Sequence, residues 1–165
     1  MNHDFLSLDR IDLRILDLLQ KDGRISNTKL AEEVNLSPTA VLARVQKLTT
    51  EGYILGYEAK LNPVLLGANF VVFVEILLDK TTPNALDEFS EAVVQYPEIM
   101  ACHMISGGFD FLVKIRCANM DEFRRISGSV LWQLPGVKET RSYPVMEVIK
   151  DSAPLNLNFK QKAKK

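Results

Sequence analysis

Histidine is almost missing from this chain. Of its 165 residues only His3 and His103 carry an imidazole, and His103 falls inside an apolar run, where a packed side chain is expected rather than a base. Cysteine is equally sparse: Cys102 and Cys117 lack a CxxC partner, so they form no disulfide framework and read as buried small hydrophobes. No serine or cysteine has a recognisable paired base, and no His, Cys and Asp stand at metal spacing. An enzyme on this scaffold is therefore not expected, nor is a metal or a resident cofactor. No apolar run approaches the roughly 20 residues that span a bilayer, and no charged-then-apolar leader opens the chain. A cytoplasmic protein without a membrane partner is expected. Net charge is missing too: 20 basic residues against 21 acidic leave −1. The whole molecule thus lacks the basic footprint that phosphate attraction normally leaves.

What is present is unevenly placed. Residues 24–47 hold Arg24, Lys29, Arg44 and Lys47 against Glu32 and Glu33, a local +2. Residues 151–165 hold Lys160, Lys162, Lys164 and Lys165 against Asp151, a local +3. Such a tail reads first as a solvated end, with a nucleic-acid role as the alternative. A hydrophobic content of 47% supports one ordinary domain or two small ones.

The first sixty residues have helical periodicity. Leu8, Ile11, Ile15, Leu18 and Leu19 make one stripe that ends at Asp22-Gly23. Ser26 is placed to cap a second helix, "NTKLAEEV", with Leu30, Ala31 and Val34 inward. After a turn at Asn35-Leu36, Ser37 caps a third helix with Pro38 at its first position, where a missing N–H costs nothing. Val41, Val45 and Leu48 form its buried line with Leu42 beside it. Thr39, Ala40, Ala43, Gln46 and Lys47 lie opposite, with Arg44 on the flank. "YILGYEAKLN" reads as a hairpin turning near Gly56. Three short helices and a hairpin make a winged helix-turn-helix. Its third helix can enter a DNA major groove N-terminus first, with Thr39, Arg44 and Lys47 in reach. A packed helical subdomain has the same periodicity.

"LNPVLLGAN" marks a connector, and strands follow. Phe70 to Leu78 is apolar on both faces except at Glu75, so its second face is expected to meet another protein surface. Asp87-Glu88-Phe89 recurs as Asp121-Glu122-Phe123 near two helix starts, with Pro97 and Pro135 expected at the ends. Thr82-Pro83 is expected to cap the first of these helices, whose inward line is Leu86, Phe89 and Val93. Asn119 with Glu122 suits a capping box for the second, with Phe123, Ile126, Val130 and Leu134 inward. With strands at "IMACHMI", "FDFLVKI" and "VKETRSYPVMEVI", the order is the ferredoxin-like βαββαβ of an α+β domain. Pro144 should sit at an edge or bulge. "SGGFD", Ser106 to Asp110, offers glycine backbone to an anion and a carboxylate to an ammonium, the two ends of an amino acid. A plain hairpin turn has the same residues.

"LDRIDLRILDLLQKDGRISNTKLAEEVNLSPTAVLARVQKLTTEGYI", the "LNP" connector and "CHMISGGFDFLVKI…MDEF…LPGVKETRSY" together resemble the Lrp/AsnC (feast/famine) transcriptional regulators, from about Leu8 to Lys150. The resemblance implies a DNA-binding winged helix over residues 1–60, a linker over 61–69, and an ACT-like RAM domain over 70–150. Residues 151–165 are left as a basic tail. It further implies RAM dimers that assemble into octamers (tetramers of dimers) on double-stranded DNA at the nucleoid. Amino-acid effectors, leucine commonly among them, would bind between subunits and regulate genes of amino-acid metabolism. Ser37, Pro38, Thr39, Ala40, Ala43, Arg44 and Lys47 would lie on the recognition helix, with Arg24 and Asn27 near the DNA backbone. Met104, Ser106, Gly107, Gly108, Phe109 and Asp110 would border the effector site. Ala40-Val41 stands where many relatives have Pro-Cys, and Gly108 where a leucine-responsive member is acidic, so operator and effector identity stay open. A DNA-organising oligomer without an effector shares every DNA feature.

Overall fold

The structure, a computed structural model, describes residues 8–81, 83–151 and 153–157. It divides into two units, Met1–Lys60 with Lys150–Lys165, and Leu61–Ile149. The expected linker over 61–69 thus belongs with the second unit, and the C-terminal segment with the first. His3, Thr82 and the four tail lysines lie outside the described residues.

In the first unit α1 spans Arg10–Lys21, α2 Asn27–Val34 and α3 Pro38–Thr50. Each start is fixed by a side chain that satisfies an orphan N–H of the first turn. At α1 the Asp12 N–H donates to Asp9 Oδ1 at 2.8 Å and the Asp9 N–H to Asp12 Oδ2 at 3.2 Å, a reciprocal box. Ser26 Oγ accepts from the Lys29 N–H and Ser37 Oγ from the Ala40 N–H, each at 3.2 Å. Asn35 ends α2 at φ 54°, the left-handed conformation asparagine tolerates, and turns the chain into α3. Ile15, Leu19, Leu30, Ala31, Val34, Val41 and Leu48 form the core. Val45 is only half-buried and Leu42 is exposed, so the buried line of α3 is narrower than expected.

The expected hairpin over residues 53–62 does not form, and the segment runs without paired strands. Two lone strands bury too little to hold a ladder in water. The segment is tied at its start instead, where the Tyr53 and Ile54 N–H groups both donate to the Leu48 carbonyl. Tyr57 then lies so close to Gly23 that a Cβ there would meet its ring at 3.1 Å.

The second unit is a four-stranded antiparallel sheet with two helices on one face. Its elements are β1 (Phe70–Leu78), α4 (Ala85–Val93), β2 (Ile99–Met104), β3 (Phe111–Cys117), α5 (Met120–Ser129) and β4 (Val137–Pro144). The strand order is β2-β3-β1-β4, the ferredoxin-like arrangement. Alternate residues of β1 and β3, Val72, Val74, Ile76 and Phe111, Val113, Ile115, pack on Phe89, Val93, Phe123 and Ile126. The Phe89 and Phe111 rings stack at 4.4 Å.

Several boundaries differ from the sequence reading. α4 starts at Ala85 behind Asn84, whose side chain makes no cap bond, and it stops at Val93. Tight i→i+3 bonds from Gln95 and Tyr96 close it before Pro97 is reached. α5 ends at Ser129 and a 3₁₀ turn, Leu131–Gln133, fills the gap to Pro135. Asn119 caps α5 as expected, but Glu122 reaches back to the Ala118 N–H at 2.6 Å rather than to Asn119. Pro144 lies at the end of β4, an edge strand, as its missing N–H requires.

Candidate DNA interface and effector hollow

On α3 the exposed side chains Thr39, Leu42, Ala43 and Gln46 recur at i, i+3, i+4 and i+7, with Lys47 beside them. Ser37 and Pro38 are exposed at the open N-terminal end of the helix, and Ala40 is half-buried. Arg24 and Lys29 are exposed, Asn27 half-buried, around the start of α2. Sequence reasoning put Leu42 on the buried side. The i+3 spacing from Thr39 was the signal that places it outward.

Arg44 is placed differently from its neighbours. Its Nη1 lies 2.7 Å from Asp9 Oδ2 and 2.7 Å from Asp12 Oδ1, and Asp12 is buried. The two carboxylates that cap α1 therefore also hold α3. Hydrogen bonds to Asp9 and then Asp12 raise the pKa of Arg44. At Asp9 burial pushes the carboxyl up, but the Asp12 N–H and Arg44 outweigh it and leave it below its ordinary value. Lys47, by contrast, makes only a loose 3.8 Å pair with Glu51.

In the sheet unit the loop between β2 and β3 is closed by the Ile105 N–H donating to the Asp110 carbonyl at 2.8 Å. Neither Gly107 nor Gly108 is among the glycines with positive φ, so the loop does not use the backbone freedom anticipated for it. A Cβ on Gly108 would meet nothing within 4 Å, so what the glycine leaves there is open space. Asp110 turns inward: Oδ2 accepts from the buried Leu78 N–H at 2.9 Å and Oδ1 sits against the Lys80 ammonium. Burial raises its pKa, but Lys80 and the Leu78 N–H outweigh that and hold the carboxyl below its ordinary value. The ammonium expected at Asp110 is thus supplied by the chain itself.

Gly108 and Phe109 instead line a shallow hollow with Glu75, Leu77, Glu139 and Arg141. Met104, Ser106 and Gly107 are exposed nearby but do not line it. Strand register makes the hollow: Glu75 pairs with Arg141 and Leu77 with Glu139 across β1 and β4. Arg141 Nε lies 2.9 Å from Glu139 Oε1. The lone glutamate of an apolar strand was the visible clue, whereas its partners on β4 depended on register. The same face continues through Leu112 to His103, which is exposed rather than packed as expected. The even alternation of β2 is broken by a register shift between Ile99 and Ala101. Cys117 is buried and Cys102 half-buried, and burial raises the pKa of both thiols. Among the described residues no group of His, Cys, Asp and Glu could hold a metal, and no helix is long and apolar enough to cross a membrane.

Two family models match the chain in order. A winged helix-turn-helix DNA-binding model covers residues 8–54, and the Lrp/AsnC ligand binding domain covers residues 71–155. The leucine-responsive regulatory protein of Klebsiella pneumoniae is 50% identical over 145 residues, 88% of this chain and 88% of that one. Among solved structures, a transcriptional regulator from Neisseria meningitidis in complex with L-methionine aligns with a TM-score of 0.87 at 30% identity, covering 93% of this chain and 99% of that one. An AsnC family transcriptional regulator from Agrobacterium tumefaciens aligns with a TM-score of 0.86 at 30% identity, covering 92% and 99%. These relatives are named as regulators, and the two family models fall on the head and the sheet unit described above. The chain belongs to the Lrp/AsnC family of DNA-binding transcriptional regulators.

Proposed function

We propose that this regulator seats the N-terminal end of α3 in the major groove of double-stranded DNA and that an amino acid bound at the sheet unit biases its assembly or affinity. The observation that carries the DNA half is the exposed stripe Thr39, Leu42, Ala43, Gln46 and Lys47 on a serine-capped helix. Small side chains at its start let the helix approach base edges, Leu42 and Ala43 suit thymine methyls, and Lys47 suits phosphate. Ser37, Pro38, Arg24 and Asn27 serve the flanking backbone. Arg44 acts as the lock between α1 and α3 rather than as a base contact.

The effector half rests on the hollow beside Gly108. Arg141 offers a cation to a carboxylate, while Glu75 and Glu139 offer acids to an ammonium. Of the loop residues Gly108 and Phe109 line it, Met104, Ser106 and Gly107 stay exposed nearby, and Asp110 holds the loop in place. Leucine and methionine are the first candidates, given the names of the relatives. A second copy covers the open sheet face, giving a homodimer and, from four dimers, an octamer. The protein acts in the cytoplasm, at the nucleoid, on genes of amino-acid metabolism. Such control requires an effector that binds one state better than another, since equal affinity shifts nothing.

Two measurements test this. Footprinting across a genomic library, at several salt concentrations, should reveal sites bound well above random sequence; uniform binding overturns operator recognition. A thermal-shift panel of the twenty amino acids should show at least one stabiliser, worth roughly 2.7 kcal/mol at about 100 times its dissociation constant. Arg141→Ala should abolish that response. The reading without an effector is favoured by one observation, that Lys80 already satisfies Asp110. A flat panel would select it.

A further inference from the structure

The outward side of α1 is not left bare. Arg10, Leu13, Arg14, Asp17 and Lys21 recur at i, i+3, i+4, i+7 and i+11, one stripe on the side of the helix away from the buried Ile15 and Leu19. A segment from the far end of the chain is held beside that stripe. Gln20 pairs with Leu155 in both directions: its Nε2 donates to the Leu155 carbonyl at 2.9 Å and its Oε1 accepts from the Leu155 N–H at 2.8 Å. Leu155 and Leu157 thereby wall a cleft of about 430 Å³ whose opposite wall is the stripe, wholly within the head. Small-molecule pockets run from roughly 300 to 1,000 Å³, so the cleft is of ligand size.

Its lining selects by charge. Three cations, Arg10, Arg14 and Lys21, stand there with one carboxylate, Asp17. That carboxylate is already engaged: Lys21 Nζ lies 2.8 Å and Arg14 Nη1 3.4 Å from its Oδ2, and the Lys21 hydrogen bond leads in holding it below its ordinary pKa. Arg14 also reaches Glu33 at 3.1 Å. Arg10 is exposed and, among the described residues, has no ion-pair partner. It is the first residue of α1, where the macrodipole disfavours a cation, so its charge serves nothing within the helix. The cleft thus offers a free guanidinium fork and apolar walls, but no free acid for an ammonium. The hollow beside Gly108 is the reverse, with Arg141 set among two glutamates.

We propose that this cleft binds a small apolar carboxylate that carries no ammonium group. Arg10 takes the carboxylate as a bidentate pair, Arg14 and Lys21 add positive charge beside it, and the carbon chain lies along Leu13, Leu155 and Leu157. Because Leu155 and Leu157 belong to the C-terminal segment, an occupied cleft holds that segment to α1. The site is separate from both the exposed stripe of α3 and the hollow of the sheet unit.

The probe is 4-methylpentanoate, which is leucine without its ammonium. Saturation-transfer NMR on the full-length protein should show it bound with a dissociation constant of about 1 mM or tighter, a modest demand on so small a ligand. Arg10→Gln, a change at an exposed side chain with no ion pair to lose, should keep the parent's melting temperature and weaken binding by about tenfold or more. Arg10→Lys should recover part of that loss, since an ammonium keeps the charge without the fork. Acetate and 4-methylpentan-1-ol, which keep only one end of the probe each, should both bind at least about tenfold more weakly. Leucine in excess should not displace the probe. A probe that does not saturate, or that binds Arg10→Gln as well as the parent, overturns the site. Equal binding of acetate or the alcohol, or displacement by an equal concentration of inorganic phosphate, overturns the ligand class. Displacement by leucine would place the probe in an amino-acid site and overturn the cleft.

Discussion

The two units are held together by different means. Among the described residues the sheet unit buries fifteen apolar residues in one core, whereas the head buries seven. A core that small contributes little, so the head relies on polar fastenings: the Asp9–Asp12 box, the Arg44 fork, and serine caps on α2 and α3. The sheet unit needs few such devices, and its open face carries the row Arg141, Glu75, Leu112 and His103 across four paired strands. Under the function proposed above, a unit that meets DNA through a helix end gains from rigid, directional fastening, and one that meets a second copy through a face needs only that its other face be filled.

The comparison breaks first if the sheet core is opened. Phe89 is fully buried against Phe111, and Phe89→Ala should destabilise by about 3–5 kcal/mol in urea titration. The head's helices should survive that change, because the core they share contains none of those residues. A single transition in which both units are lost together would show that they depend on one another.

Next comes the head's main fastening. Arg44→Ala leaves the buried Asp12 carboxylate without its cation and should cost about 2–3 kcal/mol. Arg44→Lys should recover part of this, since one ammonium replaces a guanidinium that reaches both carboxylates. The salt dependence of DNA binding discriminates the roles. A lock leaves the slope unchanged in correctly folded Arg44→Lys and Arg44→Ala, whereas loss of a phosphate contact lowers it by about 0.9 in the alanine variant.

What could be seen in the sequence follows the same division. Caps at Ser26, Ser37 and Asn119 were legible because they are local: a side chain three residues from the N–H it satisfies. The inward lines of α4 and α5 were legible because period 3.6 repeats within one element. Arg44 was not, since its partners lie 35 and 32 residues away and nothing in helical periodicity distinguishes a flank that meets Asp12 from one that meets water. The hollow escaped for the same reason. Gly108 and Phe109 were visible, but Glu75 and Arg141 join them only through strand register.

A smaller effect is expected at Asp110. Asp110→Ala leaves the buried Leu78 N–H without an acceptor and should cost about 1–3 kcal/mol, while Asp110→Asn keeps the acceptor and loses only the half-exposed pair with Lys80, about 1 kcal/mol or less. The sign of the pH dependence follows from the lowered carboxyl. The folded protein holds Asp110 ionised below the ordinary value of 3.8, so its contribution is complete above that value and lost as pH falls through the folded pKa. Acid titration of the parent downward from the ordinary value of 3.8 should therefore show a loss of stability that Asp110→Asn lacks. Parallel curves for the two would place the Lys80 pair outside the stability of the unit.

The smallest effect separates fastening from recognition. Ser26 and Ser37 make the same bond, at the same 3.2 Å, to the N–H of the third residue of their helices. Alanine at either should therefore cost about the same, roughly 1 kcal/mol, too little to unfold the head near room temperature. On DNA they should part. Ser26 caps the supporting helix, whereas Ser37 stands exposed at the end of α3 proposed above to approach the groove. Ser37→Ala should weaken operator binding by several-fold beyond Ser26→Ala at equal stability, because that end of the helix must present its N–H groups to phosphate without fraying. Equal losses in the two variants would mean that the start of α3 has no privileged place against the duplex.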